Sequence, residues 1–87
     1  MILIDPPAVP HHGRLWSHLA SDASYDELHE FAAVLGLPPR GFDRDHYDVP
    51  EEYYEAMVEA GAREVTSREL VIALRRAGLR RPKAAHG

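Results

Sequence analysis

The sequence predicts a small α/β domain: a short, mostly parallel sheet of three or four strands with three helices, in two or three layers. Three observations carry that prediction. Eighty-seven residues are too few for two independent cores, so one domain is expected over residues 1–79, with a basic, disordered tail over 80–87. A composition of 45% hydrophobic and 28% charged residues is that of a folded chain. Short apolar runs alternate with capped amphipathic segments in the order strand, helix, strand, helix, strand, helix, whose simplest packing is a parallel sheet with right-handed crossovers. An α+β arrangement is the structural alternative.

Ile2-Leu3-Ile4 is an apolar, β-branched run closed by Pro6 and Pro7, which suits a buried first strand with Asp5 at its carboxyl end. Ala8 to Gly13 follows as a loop. Arg14 to Ala20, with Leu15, Trp16 and Leu19 and no Gly or Pro, reads as an added strand, antiparallel at an edge. Ser24 and Glu27 form a capping box, apolar positions recur at Tyr25, Leu28, Phe31, Ala32 and Leu35, and Gly36 supplies a left-handed stop, so a helix is predicted from Tyr25 to Leu35. The prolines, glycine and charges of Leu37 to Asp45 mark a mobile surface loop.

His46 to Val49 is expected as a second core strand. Pro50, with no N–H to leave unpaired, suits the first turn of a helix running to Ala60 and stopped by Gly61. Tyr53, Tyr54, Met57 and Val58 give that helix a broad apolar face, and Glu51, Glu52 and Glu55 place negative charge near its positive amino end. Glu64-Val65 is a very short strand. Thr66 with Glu69 repeats the capping-box pattern before Leu70, Val71, Leu74 and Ala77, a third helix that ends at Gly78 with Arg75 and Arg76 at its negative carboxyl end.

The absence of cysteine excludes a disulfide framework, a zinc ribbon and a thiol nucleophile, and confines any metal to His, Asp or Glu ligands. No apolar run approaches the roughly 20 residues of a spanning helix, and Met1 to Leu3 lead straight to Asp5 and two prolines without the regions of a signal peptide. A cytoplasmic protein with no membrane contact is therefore expected. Net charge is −4 but polarised: residues 1–62 hold twelve acids against three arginines, a balance of −9, and residues 63–87 hold seven bases against two acids, +5. A solvated basic tail is the expected reading, and the acidic remainder argues against nucleic acid. There is no Walker loop, G-x-G-x-x-G, H-E-x-x-H or EF-hand loop, and the third helix has no close upstream partner helix for DNA recognition.

On a parallel sheet, ligands gather beyond the carboxyl ends of the strands, near helix amino termini. Three places would then converge: Asp5 with His11-His12-Gly13-Arg14, the segment His46 to Val49, and Thr66-Ser67. Such an edge can hold a divalent metal with Asp5, His18, His46 and Asp48 as ligands, or an anion with Arg14 and helix-end amides. His46 and Asp48, two apart on a strand, face one side while Tyr47 faces the other. The same pair also reads as a local His–Asp hydrogen bond, with Asp48 capping the helix begun near Pro50. Trp16, the sole tryptophan, reads as a core or interface anchor ahead of a substrate-stacking platform. His11 and His12 should diverge as exposed loop side chains, and His29 should be partly buried and structural. His18 and Asp22, four apart, meet only on a helix, whereas this segment reads as extended.

Gly13-Arg14-Leu15-Trp16-Ser17-His18-Leu19, followed by Asp22, Glu27-Leu28-His29, His46-Tyr47-Asp48, Gly61-Ala62 and Ser67-Arg68-Glu69-Leu70, forms a set. That set resembles the short bacterial and phage family called domain of unknown function 4031, over Ile2 to Leu79. The resemblance implies a stand-alone bacterial or phage protein, brings no activity with it, and marks Asp5, Trp16, His18, Asp22, His46, Tyr47 and Asp48 as family-pattern positions.

Two functional readings follow. In the first the domain binds a metal or a phosphate-containing ligand and acts as a hydrolase, with His46, Asp48 and His18 as acid–base groups or ligands, Asp5 as a further ligand, and Arg14, Trp16 and Tyr47 contacting the substrate. In the second it is a non-enzymatic interaction module, a homodimer or partner-binding protein, with Trp16 and Tyr53 or Tyr54 in its contact surface.

Overall fold

The computed structural model describes residues 1–82. Strand β1 (Ile2–Ile4) is broken off at Pro6 and Pro7, and β2 (Val9–His11) resumes along the same side of β3 (Arg14–Ser21). His12 and Gly13 alone join β2 to β3, with φ of 52° and 72°. Two left-handed residues in succession give the tight turn whose twist matches that of the strands it joins. The chain therefore folds straight back, and β3 runs antiparallel to both β1 and β2.

This hairpin overturns the mostly parallel sheet of three or four strands expected from the element order. Among the described residues six strands form, in the order β4-β5-β3-β1-β6 with β2 beside β3, and β1 pairs parallel with β6 (Arg63–Glu64). Strand β4 (Phe42–Asp43), inside the segment that reads as a surface loop, pairs in a second hairpin with β5 (His46–Pro50), which covers the core strand expected at His46 to Val49. Leu37 and Asp45 within that segment are buried. Proline concealed β2 from sequence reading: Pro10 is tolerated because β2 has a neighbour on one side only, where a missing N–H does little damage.

Helix α1 (Tyr25–Val34) is capped by Ser24, whose side chain accepts from Glu27 N. The expected capping box there is only half formed, because the Glu27 carboxylate accepts from the Met1 ammonium and from Ser21 Oγ instead. Pro50 is not a helical residue: paired with Trp16, it ends β5 in an extended conformation, and a 3-10 turn (Glu51–Tyr53) leads into a short α2 (Tyr54–Glu59). Helix α3 (Ser67–Arg76) carries the complete box between Thr66 and Glu69.

Strand alternation divides the sheet into two unlike faces. Ile2, Ile4, Leu19, Tyr47 and Val49 pack with Leu28 and Ala32 of α1 and Met57 of α2. On the other face, Leu3 and Ala20 pack with Leu70 and Leu74 of α3. The domain is thus three-layered, but α3 covers only one end of its face. Trp16, His18 and Asp48 lie on the remainder, each half-buried. Among the described residues no helix is long and apolar enough to cross a membrane.

The basic tail expected from residue 80 falls, for 83–87, outside the described residues. Arg80 and Arg81 are held against the domain. Arg80 Nη1 lies 3.3 Å from Asp45 Oδ2, the Arg81 amide donates to the same oxygen at 3.0 Å, and the Arg81 guanidinium sits 4.1 Å over the Tyr25 ring.

Candidate metal centre

The register of β3 and β5 builds the site. His18 is directly opposite Asp48, and His46 lies two residues before Asp48 on the same face. One donor atom from each of His18, His46 and Asp48 lies within 4.8 Å of the other two. Ligands of one ion at about 2.1 Å are separated by roughly 3–4 Å, so the three need close only slightly to share a cation.

Each imidazole is oriented by its own buried carboxylate. His18 Nδ1 is 2.8 Å from Asp5 Oδ2, and the His18 amide donates to Asp5 Oδ1 at 2.6 Å. Ser67, the first residue of α3, donates its hydroxyl to Asp5 Oδ2 at 2.8 Å. Asp5 is 1% exposed and sits where the helix dipole favours negative charge. His46 Nδ1 is 2.8 Å from Asp45 Oδ1, and Asp45 in turn accepts from Arg80 and Arg81. Both rings therefore spend Nδ1 on a carboxylate and keep Nε2 for another partner. For His46 that partner is Asp48 Oδ1, 3.2 Å away. The His18 and His46 rings meet edge to face with centroids 4.8 Å apart.

Burial alone would raise the carboxyl groups of Asp5 and Asp45, but hydrogen bonds from His18 and Ser67 to the first, and from His46 and the Arg81 amide to the second, hold both below the ordinary carboxylate value. Asp48 is lowered chiefly by its contact with His46. Burial works against the charged form of His46, yet Asp48 and Asp45 prevail and raise it above the usual histidine value. The centre is an acidic nest around two imidazoles, suited to a cation.

Hollows among the described residues include one of about 340 Å³ beside α2, lined by Tyr54, Val58 and Glu64, and two others that bear on the sheet. The larger, about 650 Å³, is lined by Arg63, Val65, Glu69, Ile72, Arg76 and neighbours at the β6 edge, away from the converging donors. The smaller, about 220 Å³, is lined by Val9, His11, His12, Trp16 and Asp48 and so opens beside the centre. Size favours the first and chemistry the second; the donor set makes the second the relevant one.

A family described as a protein of unknown function, DUF4031, matches residues 2–77. The chain belongs to the DUF4031 family. No curated protein and no solved structure matches it.

In this DUF4031 domain, His18, His46 and Asp48 come together as the sequence suggests, but on an open sheet face and not beyond the strand ends, because the sheet is antiparallel there. Asp5 joins them behind His18, with both its oxygens engaged. Asp48 does not cap a helix; it lies within β5, and Pro50 occupies the cap position of the turn that follows. Arg14 is exposed and 3.4 Å from Glu52. Tyr47 points to the opposite face, buried, with its hydroxyl 2.7 Å from His29 Nδ1. Asp22 pairs with the Met1 ammonium at 2.8 Å. The His11 and His12 rings do not diverge: their centroids are 3.9 Å apart, since the left-handed φ of His12 turns its side chain back. Sequence reading missed Asp45, Arg80 and Arg81. The only signal for Asp45 was its place directly before His46.

Proposed function

We propose that this DUF4031 domain binds one divalent transition-metal ion through His18, His46 and Asp48, and that the ion, left with open positions, serves hydrolysis of a phosphate-containing substrate. One observation carries the reading: two imidazoles on neighbouring strands each commit Nδ1 to a buried carboxylate, and a donor atom of each ring converges with an Asp48 oxygen, His46 Nε2 contacting it at 3.2 Å. A carboxylate on Nδ1 selects the tautomer whose Nε2 lone pair is free and makes that nitrogen more basic, the usual support of a metal-bound histidine. Two imidazoles and one carboxylate suit zinc, iron(II), cobalt or manganese better than calcium or magnesium, which prefer oxygen alone. Three protein ligands leave room for water and substrate. Such an ion supplies Lewis acidity to a water molecule and to a phosphate oxygen alike.

Metal analysis of protein made without a histidine tag tests the reading. One ion per chain is expected for the wild type, with loss in His46→Ala and in Asp48→Asn while circular dichroism keeps the fold. A wild type that stays metal-free after incubation with zinc, cobalt and manganese overturns it. The hydrolytic half predicts phosphate release from simple phosphate esters that stops on chelation. The cytoplasmic setting and any homodimer belong to the same proposal.

The interaction-module reading has less behind it. Trp16 borders the hollow, Tyr54 is half-buried with its hydroxyl on Glu64, and only Tyr53, 52% exposed, is openly presented. A concentration-independent monomer in light scattering would remove it.

A further inference from the structure

The 220 Å³ hollow shares Asp48 with the metal centre: one oxygen of that carboxylate is 3.2 Å from His46 Nε2, and the residue also borders the hollow. Trp16 stands two residues before His18 on β3, hence on the same sheet face. Its indole N–H donates to the His11 carbonyl at 2.8 Å, which fixes the ring plane as a wall. Val9, paired with Trp16 across the hairpin, adds apolar surface and is itself 44% exposed. The mouth carries the imidazole of His11, at the end of β2, and that of His12 in the β2–β3 turn.

A fixed aromatic wall with an aliphatic neighbour selects a planar ring, and rings stack on tryptophan whatever their substituents. The volume admits one ring system and excludes an oligomer, being below the usual range for drug-sized ligands. Imidazoles on one side and a metal on the other select an anionic group. Without the ion, Asp48 would repel that group.

Building on the metal reading, we propose that this hollow is the ligand subsite of the centre and takes a mononucleotide-like molecule, a planar heteroaromatic ring bearing a phosphate. The ring lies against Trp16 and Val9. The phosphate reaches the metal beside Asp48 and the His11–His12 turn. Phosphate affinity therefore depends on the metal, and ring affinity on Trp16.

Trp16 is the sole tryptophan, so its emission reports on the hollow alone. Adenosine and cytidine monophosphates are titrated into untagged protein with and without zinc, with ribose 5-phosphate as the phosphate that has no base. Quenching by both nucleotides is expected with zinc only, and ribose 5-phosphate should bind on the order of tenfold more weakly. By calorimetry, Trp16→Leu and Val9→Tyr should keep zinc binding and lose about tenfold or more in nucleotide affinity; Val9→Tyr adds bulk at an exposed edge position and so controls for misfolding. Zinc binding without any nucleotide response overturns the subsite and leaves the metal reading standing. Equal binding of ribose 5-phosphate overturns the role of the ring. Nucleotide binding that ignores zinc, or appears where no zinc binds, overturns the joint site.

Discussion

His46 answers to two opposed demands at the scale of a single residue. Asp48 and Asp45 raise its pKa against the effect of burial. A raised histidine adds stability that is fully present below its unfolded value near 6.5 and is lost as pH rises through the folded value. Asp5, Asp45 and Asp48 are lowered, so their contribution is present above about 3.9 and is lost as pH falls through their folded values. Metal binding needs the imidazole without its proton. As pH rises from about 6.5 through the raised value of His46, apo stability should therefore decline over the same interval in which zinc affinity climbs, and urea unfolding beside calorimetry across that interval reads both signs at once. Asp5→Ala strands the amide and ring of His18 and the Ser67 hydroxyl, and should lower unfolding free energy by about 1–3 kcal/mol. Asp45→Ala should weaken zinc by about 10–100-fold, because His46 loses the partner that orients it.

Two-residue turns decide the outcome at the scale of elements. Gly13 has a φ of 72°, and a Cβ there would meet nothing within 4 Å, so Gly13→Ala isolates backbone strain; a loss of about 1–2 kcal/mol is expected in chemical denaturation. Arg44, at φ 59°, turns the backbone sharply enough for the Asp45 amide to reach the Asp43 carbonyl, and so delivers Asp45 to the interior beside His46. Thr66→Ala removes the α3 cap and should cost about 1 kcal/mol, with Ser67 loosened from Asp5. The helices were legible because their signals are local: periodic apolar positions with Ser24, Thr66 and the closing glycines put α1 and α3 within a residue or two of their true ends. Strand pairing was not. His12-Gly13 lacks the Asn-Gly form that announces a hairpin, Pro10 hid β2, and β4 spans two residues, so alternation alone suggested crossovers where the chain doubles back.

At the scale of the molecule, one half-covered sheet face unites residues distant along the chain. The sequence groups His18 with His46 and Asp48 only as residues that the end of a parallel sheet would gather; the antiparallel register that sets His18 opposite Asp48 was not legible, while His46 with Asp48 was, from the two-residue strand period. Arg80 and Arg81 read as part of a disordered tail because nothing local binds them; their partner, Asp45, is 35 and 36 residues away. A chain ending at Leu79 strips Asp45 of Arg80 and Arg81 and leaves it only the His46 ring among its described donors, and should unfold with about 1–3 kcal/mol less free energy and bind zinc more weakly than the full chain. Asp5 and Asp45 hold His18 and His46 by Nδ1, so Nε2 is the nitrogen each ring would offer to the proposed metal. Nitrogen-15 spectra of the six histidine rings, recorded at alkaline pH before and after one equivalent of zinc, test this arrangement. His18 and His46 should carry their proton on Nδ1 throughout and alone shift at Nε2 when zinc is added. Protons on Nε2 of those two rings, or a zinc response spread over the exposed histidines instead, would contradict it.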